Sequence, residues 1–159
     1  MTVLVLAVHL VAAALASLLA GVYLAFSLTI MPALAGLPDR VLVTVMQTVN
    51  RVIVRPGFAL LFFGAPLAGV ATAVLVPLDG APPVLVALAV AGGVLQVASI
   101  VLTVVVHLPR NDALDRADPD DAGDVARARE AFERPWTRAH RVRTAVTTVG
   151  ALALVAGLV

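Results

Sequence analysis

The sequence predicts an all-α protein: an integral membrane four-helix bundle with an additional amphipathic helix between spans one and two. Three observations carry that expectation. The 159 residues are 61% hydrophobic and 13% charged, with a mean hydropathy of +1.03, whereas soluble domains are about half apolar and about a quarter charged. A chain this short cannot hide so much apolar surface in one aqueous core. The apolar residues also fall into four runs near the ~20 residues that a bilayer span needs, joined by short links. Finally, all eleven cations are arginines, and all of them sit in two of those links.

The first span covers about residues 3–30, within a stretch (residues 3–37) that has no Asp, Glu, Lys or Arg. It overshoots one bilayer and is expected to leave the membrane near Tyr23 to Ser27 and to break around Pro32. It has no basic leader and continues past any cleavage point, so it reads as a retained span rather than a cleaved signal. Residues 38–54 form the amphipathic helix, because Arg40, Thr44, Gln47 and Arg51 recur on one helical face. The second span, 57–78, ends in the Asp79–Gly80 turn before Pro82 and Pro83. The third covers 84–107, with a kink or restart at Pro109. A polar link follows at about 109–135, with Asp118–Pro119 read as a helix start. The last span covers about 138–159, and the whole chain forms one membrane domain.

Arg40, Arg51 and Arg55 lie in the first link, and the other eight arginines lie in or beside the last. The positive-inside rule therefore puts both links in the cytoplasm and both termini outside, in a multi-pass protein of the cell (inner) membrane. Net charge is +1, so no field attracts nucleic acid. The absence of cysteine removes disulfides and thiol chemistry. Arginine without lysine, with abundant Ala, Val, Gly and Pro, points to a GC-rich bacterial genome.

Polar side chains inside a membrane are the informative ones. Gln96, Ser99, Thr103 and His107 make one stripe down the third span, and Trp136, His140, Arg143 and Thr147 make one down the last. Arg134, Arg138 and Arg141 point elsewhere and read as headgroup anchors. Only sixteen uncharged residues follow Arg143, so it lies at or just inside the boundary and needs a partner or a wet cavity. Tyr23 and Ser27 on the first span, and Gln47, Asn50 and Arg51 on the amphipathic helix, reach the same depth. Phe58, Phe62 and Phe63 supply apolar wall. Together these describe a mouth where polar groups converge on an apolar pocket, the usual form of a small-molecule site. A hydrogen-bonded seam between helices is the other reading of the same stripes. In the first span, Ala13, Ser17 and Gly21 permit close helix contacts, within the bundle or between protomers of a homo-oligomer.

Four blocks, "AFSLTIMPAL" (Ala25 to Leu34), "MQTVNR" (Met46 to Arg51), "HLPRNDAL" (His107 to Leu114) and "WTRAHRVRT" (Trp136 to Thr144), resemble the anthrone oxygenase-like family of small membrane proteins. The resemblance covers nearly the whole chain in the correct order. It implies a four-helix membrane bundle and oxidation of anthrones to anthraquinones by molecular oxygen without metal, flavin or other cofactor. The motif positions carried over are Phe26, Ser27, Met31, Pro32, Gln47, Asn50, Pro109, Asn111, Trp136 and Arg143. Two departures stand out: His107 and His140 occupy positions where the family pattern has Asn.

These residues support three functional readings. A cofactor-independent oxygenase acting on a lipophilic aromatic of anthrone or hydroquinone type would use His107 or His140 as base. Arg143, Asn50 or Trp136 would stabilise the oxyanion. Tyr23, Phe26, Ser27, Gln47, Gln96, Thr103 and Asn111 complete the expected site. A non-catalytic protein would instead use the mouth to bind a lipid, a quinone or a partner subunit. A metal site at His107 and His140, even with Asp112, matches no standard ligand spacing. His9 lies toward the opposite end, outside the expected site.

Overall fold

The computed structural model describes residues 1–159 as five helices. They are α1 (Val3–Ala35), α2 (Asp39–Ile53), α3 (Pro56–Leu78), α4 (Pro83–Asp115) and α5 (Ala122–Ala156). Four form a ring in which α1 packs on α3, α3 on α4, α4 on α5 and α5 on α1. α2 lies across one end of the ring against α5 and the end of α4.

α1, α3 and α4 are long and apolar enough to cross a membrane, as expected of a multi-pass membrane protein. Only 39 of the 159 residues are buried, and large apolar side chains such as Leu18, Leu67, Val94 and Leu152 cover the outside. α5 differs from the other three. Arg138, Arg141 and Arg143 occupy the first turns of the expected last span, so its uncharged stretch is shorter. It is also continuous with the helical run before it, through Pro135, so the part of the expected link from Ala122 onward and the last span are one helix, while the start of that link continues α4 to Asp115.

Two expectations about proline are corrected. The first helix does not break at Pro32, and the third does not restart at Pro109. Each helix runs through its proline, and a five-residue π turn precedes it, Phe26–Ile30 in α1 and Thr103–His107 in α4. Proline cannot donate to the carbonyl four residues back, and its ring crowds that carbonyl. The wider turn makes room without ending the helix.

Close packing rests on glycines in α3, α4 and α5. A Cβ on Gly93 would lie 2.6 Å from the Gly69 carbonyl oxygen, and one on Gly92 would lie 2.6 Å from Leu154. The small residues expected to make contacts in the first span divide differently. Ala13 is buried, but Ser17 and Gly21 face outward.

Both arginine-bearing links meet at one end of the bundle. Leu42, Val43 and Met46 of α2 are fully buried against Leu114, Val125, Phe132 and Trp136. Burial of each such side chain is worth ~1.5–3 kcal/mol. Arg129 ties the same corner together, donating to the Ala35 and Leu37 carbonyls (2.8 and 2.6 Å), which cap α1, and to Asp39 and Glu133. The hydrogen bond that Arg129 donates to the Glu133 carboxylate raises the Arg129 pKa above its ordinary value. Arg40 pairs with Asp120 and Arg51 with Asp115. α5 starts at Ala122, later than the expected Asp118–Pro119, because the Asp121 carboxylate accepts from the Gly123 and Asp124 backbone N–H groups. These two bonds hold the Asp121 pKa below the ordinary range. At the other end the Thr2 backbone N–H donates to Asp79 (2.7 Å) and likewise lowers its pKa.

Candidate functional site

Between α2 and the ring lies a cavity of about 270 Å³. A cavity of ~150 Å³ holds a benzene ring, so this one suits two or three fused rings. Its wall is mostly apolar. α1 gives Val22, Tyr23 and Phe26, α2 gives Met46, Val49 and Ile53, and α3 gives Phe58, Phe62 and Phe63. The polar residues are Tyr23, Asn50, Thr103, Asn111, Trp136, His140 and Arg143.

Arg143 dominates the electrostatics. It is 7% exposed and pairs with no carboxylate. Its guanidinium donates to Thr103 Oγ1 (2.9 Å) and to His140 Nδ1 (2.8 Å), and lies 4.2 Å from the Tyr23 ring centroid. Arginine stays protonated in proteins, so this is a buried cation held by neutral groups and a ring face. A buried unpaired charge costs several kcal/mol unless something else compensates it.

That contact also fixes the His140 tautomer. The Tyr23 carbonyl can only accept, so His140 Nε2 donates to it at 3.0 Å. Nδ1 receives the Arg143 donor and therefore carries the lone pair. His140 is a neutral imidazole with both nitrogens engaged. Its ring stacks on Trp136 (4.7 Å between centroids) and meets Tyr23 and Phe26 edge-on. Trp136 in turn donates to Asn111 Oδ1 (2.9 Å). Three cavity residues keep a polar atom without a hydrogen-bond partner: Arg143 Nε, Asn50 Nδ2 and the Tyr23 hydroxyl. The hydroxyl completes no hydrogen bond although Ser99 and Thr103 lie beside it.

Of the residues singled out in the sequence, Tyr23, Phe26, Asn50, Thr103, Asn111, Trp136, His140 and Arg143 are brought together on this wall. Four are not. His107 is buried behind Trp136, 5.5 Å between ring centroids, with Nδ1 donating to the Leu102 carbonyl and Nε2 unpaired. Ser27 bonds Thr144 Oγ1. Gln47 donates to the Leu114 and Ala117 carbonyls (3.0 and 2.9 Å), which seals α2 onto the end of α4. Gln96 donates to the Thr147 carbonyl in the bundle interior. The π turn of α4 accounts for one of these displacements: it adds a residue to the turn, so Thr103 keeps the cavity face while His107 rotates off it. Ser27 lies where α1 enters its own π turn and is held by Thr144 of α5. Sequence reasoning missed the contribution of Val49 and Ile53, although an apolar run opposite Arg40, Thr44 and Arg51 was the available signal.

No curated protein and no solved structure matches the chain. A family model described as anthrone oxygenase matches residues 58–153. That match spans α3, α4 and most of α5, and it includes Phe58, Thr103, Asn111, Trp136, His140 and Arg143, the half of the cavity that holds the cation. It covers more than half of the chain, and the chain therefore belongs to the anthrone oxygenase family.

Proposed function

We propose that the cavity oxidises a lipophilic aromatic of the anthrone or hydroquinone type with molecular oxygen, oxygenating the methylene where the substrate is an anthrone. The observation that carries this reading is Arg143, a buried cation without a carboxylate, on the wall of an otherwise apolar cavity. Such a site favours a ligand that is apolar over most of its surface and becomes anionic at one oxygen. An anthrone does so when its methylene loses a proton, since the charge moves to the carbonyl oxygen.

The balanced reaction converts the methylene and one O₂ into a carbonyl and one water. The base takes one methylene proton. The carbanion passes one electron to O₂, and the resulting radical and superoxide join in a new C–O bond. The peroxide then loses water, with the second methylene hydrogen leaving as a proton and the O–O bond breaking. Arg143 stabilises the first oxyanion. His140 is the base: when Arg143 turns its donor to the substrate oxygen, His140 Nδ1 is released beside it. Both chemical steps then use groups already in contact at 2.8 Å. His107, with its free Nε2, stands off the wall and supports the stack through Trp136. A hydroquinone would instead lose an O–H proton to the same base and pass two electrons to O₂, giving the quinone and hydrogen peroxide.

A second reading has its own observation. Both His140 nitrogens are engaged, as a site that binds an anionic quinone or lipid without chemistry would have them. Turnover separates the two. Membranes carrying the wild-type chain should convert an anthrone to the anthraquinone with matching oxygen uptake, and His140→Gln should lower that rate by about 10²–10⁴-fold, the usual worth of a general base. Ligand binding with no uptake above protein-free membranes would leave only the binding reading.

For topology, we propose that α5 also spans and that the end carrying α2 faces the cytoplasm. The ring arrangement and the collection of all eleven arginines toward that end support this.

A further inference from the structure

On the outside of the same end, α5 forms the floor of a second, open groove of about 1050 Å³. Met31 and Pro32 of α1 stand on one side, and Leu102 and Arg110 of α4 on the other. Arg134, Arg138 and Arg141 rise from the floor. They follow the same 4-then-3 spacing as Trp136, His140 and Arg143, two residues earlier, and so occupy the opposite face of the helix.

The charge pattern gathers unpaired cations in this groove. Arg40, Arg51, Arg127 and Arg129 each pair with an aspartate or glutamate. Arg134, Arg138, Arg141 and Arg110 pair with none, and Arg110 only reaches the Val106 carbonyl. Arg55 and Arg116 are unpaired as well, but neither lines the groove. The one acid in the groove, Glu133, is taken by Arg129. From Arg134 to Val142 the groove runs ~12 Å along α5, and at its inner end Leu102 and Val142 are apolar. A cationic outer part leading onto an apolar inner part matches a phosphate headgroup with its acyl chains.

We propose that this groove binds one anionic phospholipid, its phosphate held by Arg134, Arg138 and Arg141 and its chains lying past Leu102 and Val142. Guanidinium groups suit phosphate because they donate in a fixed fork. The site is separate from the aromatic cavity, on the other face of α5, and stands whether or not that cavity is catalytic.

Native mass spectrometry of the full chain in detergent, titrated with phosphatidylglycerol or phosphatidylcholine, tests this directly. The wild-type chain should retain one phosphatidylglycerol at concentrations where it retains no phosphatidylcholine. Millimolar inorganic phosphate should not displace it. At about fivefold per arginine, Arg134→Gln, Arg138→Gln and Arg141→Gln together should weaken retention by about a hundredfold, while Arg127→Gln should leave it unchanged. Equal retention of the two lipids by the wild-type chain would overturn the proposal without reference to any variant. Full retention by the triple variant would overturn it as well. Displacement by phosphate would show a free-anion site and no lipid site.

Discussion

Replacing Arg143 by Met keeps an unbranched side chain of similar reach and removes the charge. The structure gives opposing terms for stability. The variant loses donors to Thr103 and His140, and the buried His140 lone pair left without a donor costs about 1–3 kcal/mol. It also removes an unpaired buried cation, whose desolvation costs several kcal/mol. The melting temperature of Arg143→Met should therefore be no lower than that of the wild type. Ligand affinity should behave differently. A phenolate ~4 Å from the guanidinium at an effective dielectric of ~20 gains ~4 kcal/mol, up to about a thousandfold in Kd. Trp136 is the only tryptophan and lines the cavity, so its fluorescence reports binding there alone. The wild type should bind an anthraquinone with an ionised phenol far more tightly than unsubstituted anthraquinone. Arg143→Met should lose that preference and keep the neutral ligand. A variant that melts well below the wild type yet binds both ligands as the wild type does would make Arg143 a structural residue with no part in recognising the anion.

Gly93→Ala drives a Cβ to 2.6 Å from a backbone oxygen of α3 and should cost about 1–3 kcal/mol, read as lost resistance to denaturant. Gly21→Ala, with nothing within 4 Å of the new Cβ, should cost nothing. Gln47→Leu leaves the Ala117 carbonyl without its donor at about 1–3 kcal/mol, while the Leu114 carbonyl keeps the Ala117 N–H; limited proteolysis around residues 36–55 should accelerate while the spanning helices survive. Asp79 and Asp121 have depressed pKa values in the folded chain. Their contribution to stability is present above the ordinary carboxylate range near ~4 and is lost as pH falls through the folded values. Thermal melts should fall on acidification below that range, and less steeply in Asp121→Asn.

Much of this molecule was legible in the sequence because the bilayer imposes simple rules. Composition and the two arginine clusters foretold the bundle, the amphipathic helix and the grouping of both links at one end. The spacing of Trp136, His140 and Arg143 placed all three on the cavity wall, since α5 keeps its period across them. The same arithmetic failed for His107, where the π turn before Pro109 shifts the register, and nothing in an apolar stretch such as "TVVVH" announces a wider turn; Ser27 is engaged by Thr144 of the neighbouring helix instead of the cavity. Gln47 and Gln96 looked like site residues because a buried amide carries the same signal whether it meets a ligand or a carbonyl. Only tertiary contacts show which.

Oxygenation in this cavity requires O₂ and an anthrone-type carbanion to meet under Arg143. Its most direct test is the purified chain in lipid, given an anthrone under ¹⁸O₂, with the quinone analysed by mass. One ¹⁸O should enter the new carbonyl at a rate well above protein-free lipid, and Arg143→Met should return the rate to about that background. Labelling no faster with the wild-type chain than without it would mean that the cavity does not oxygenate anthrones.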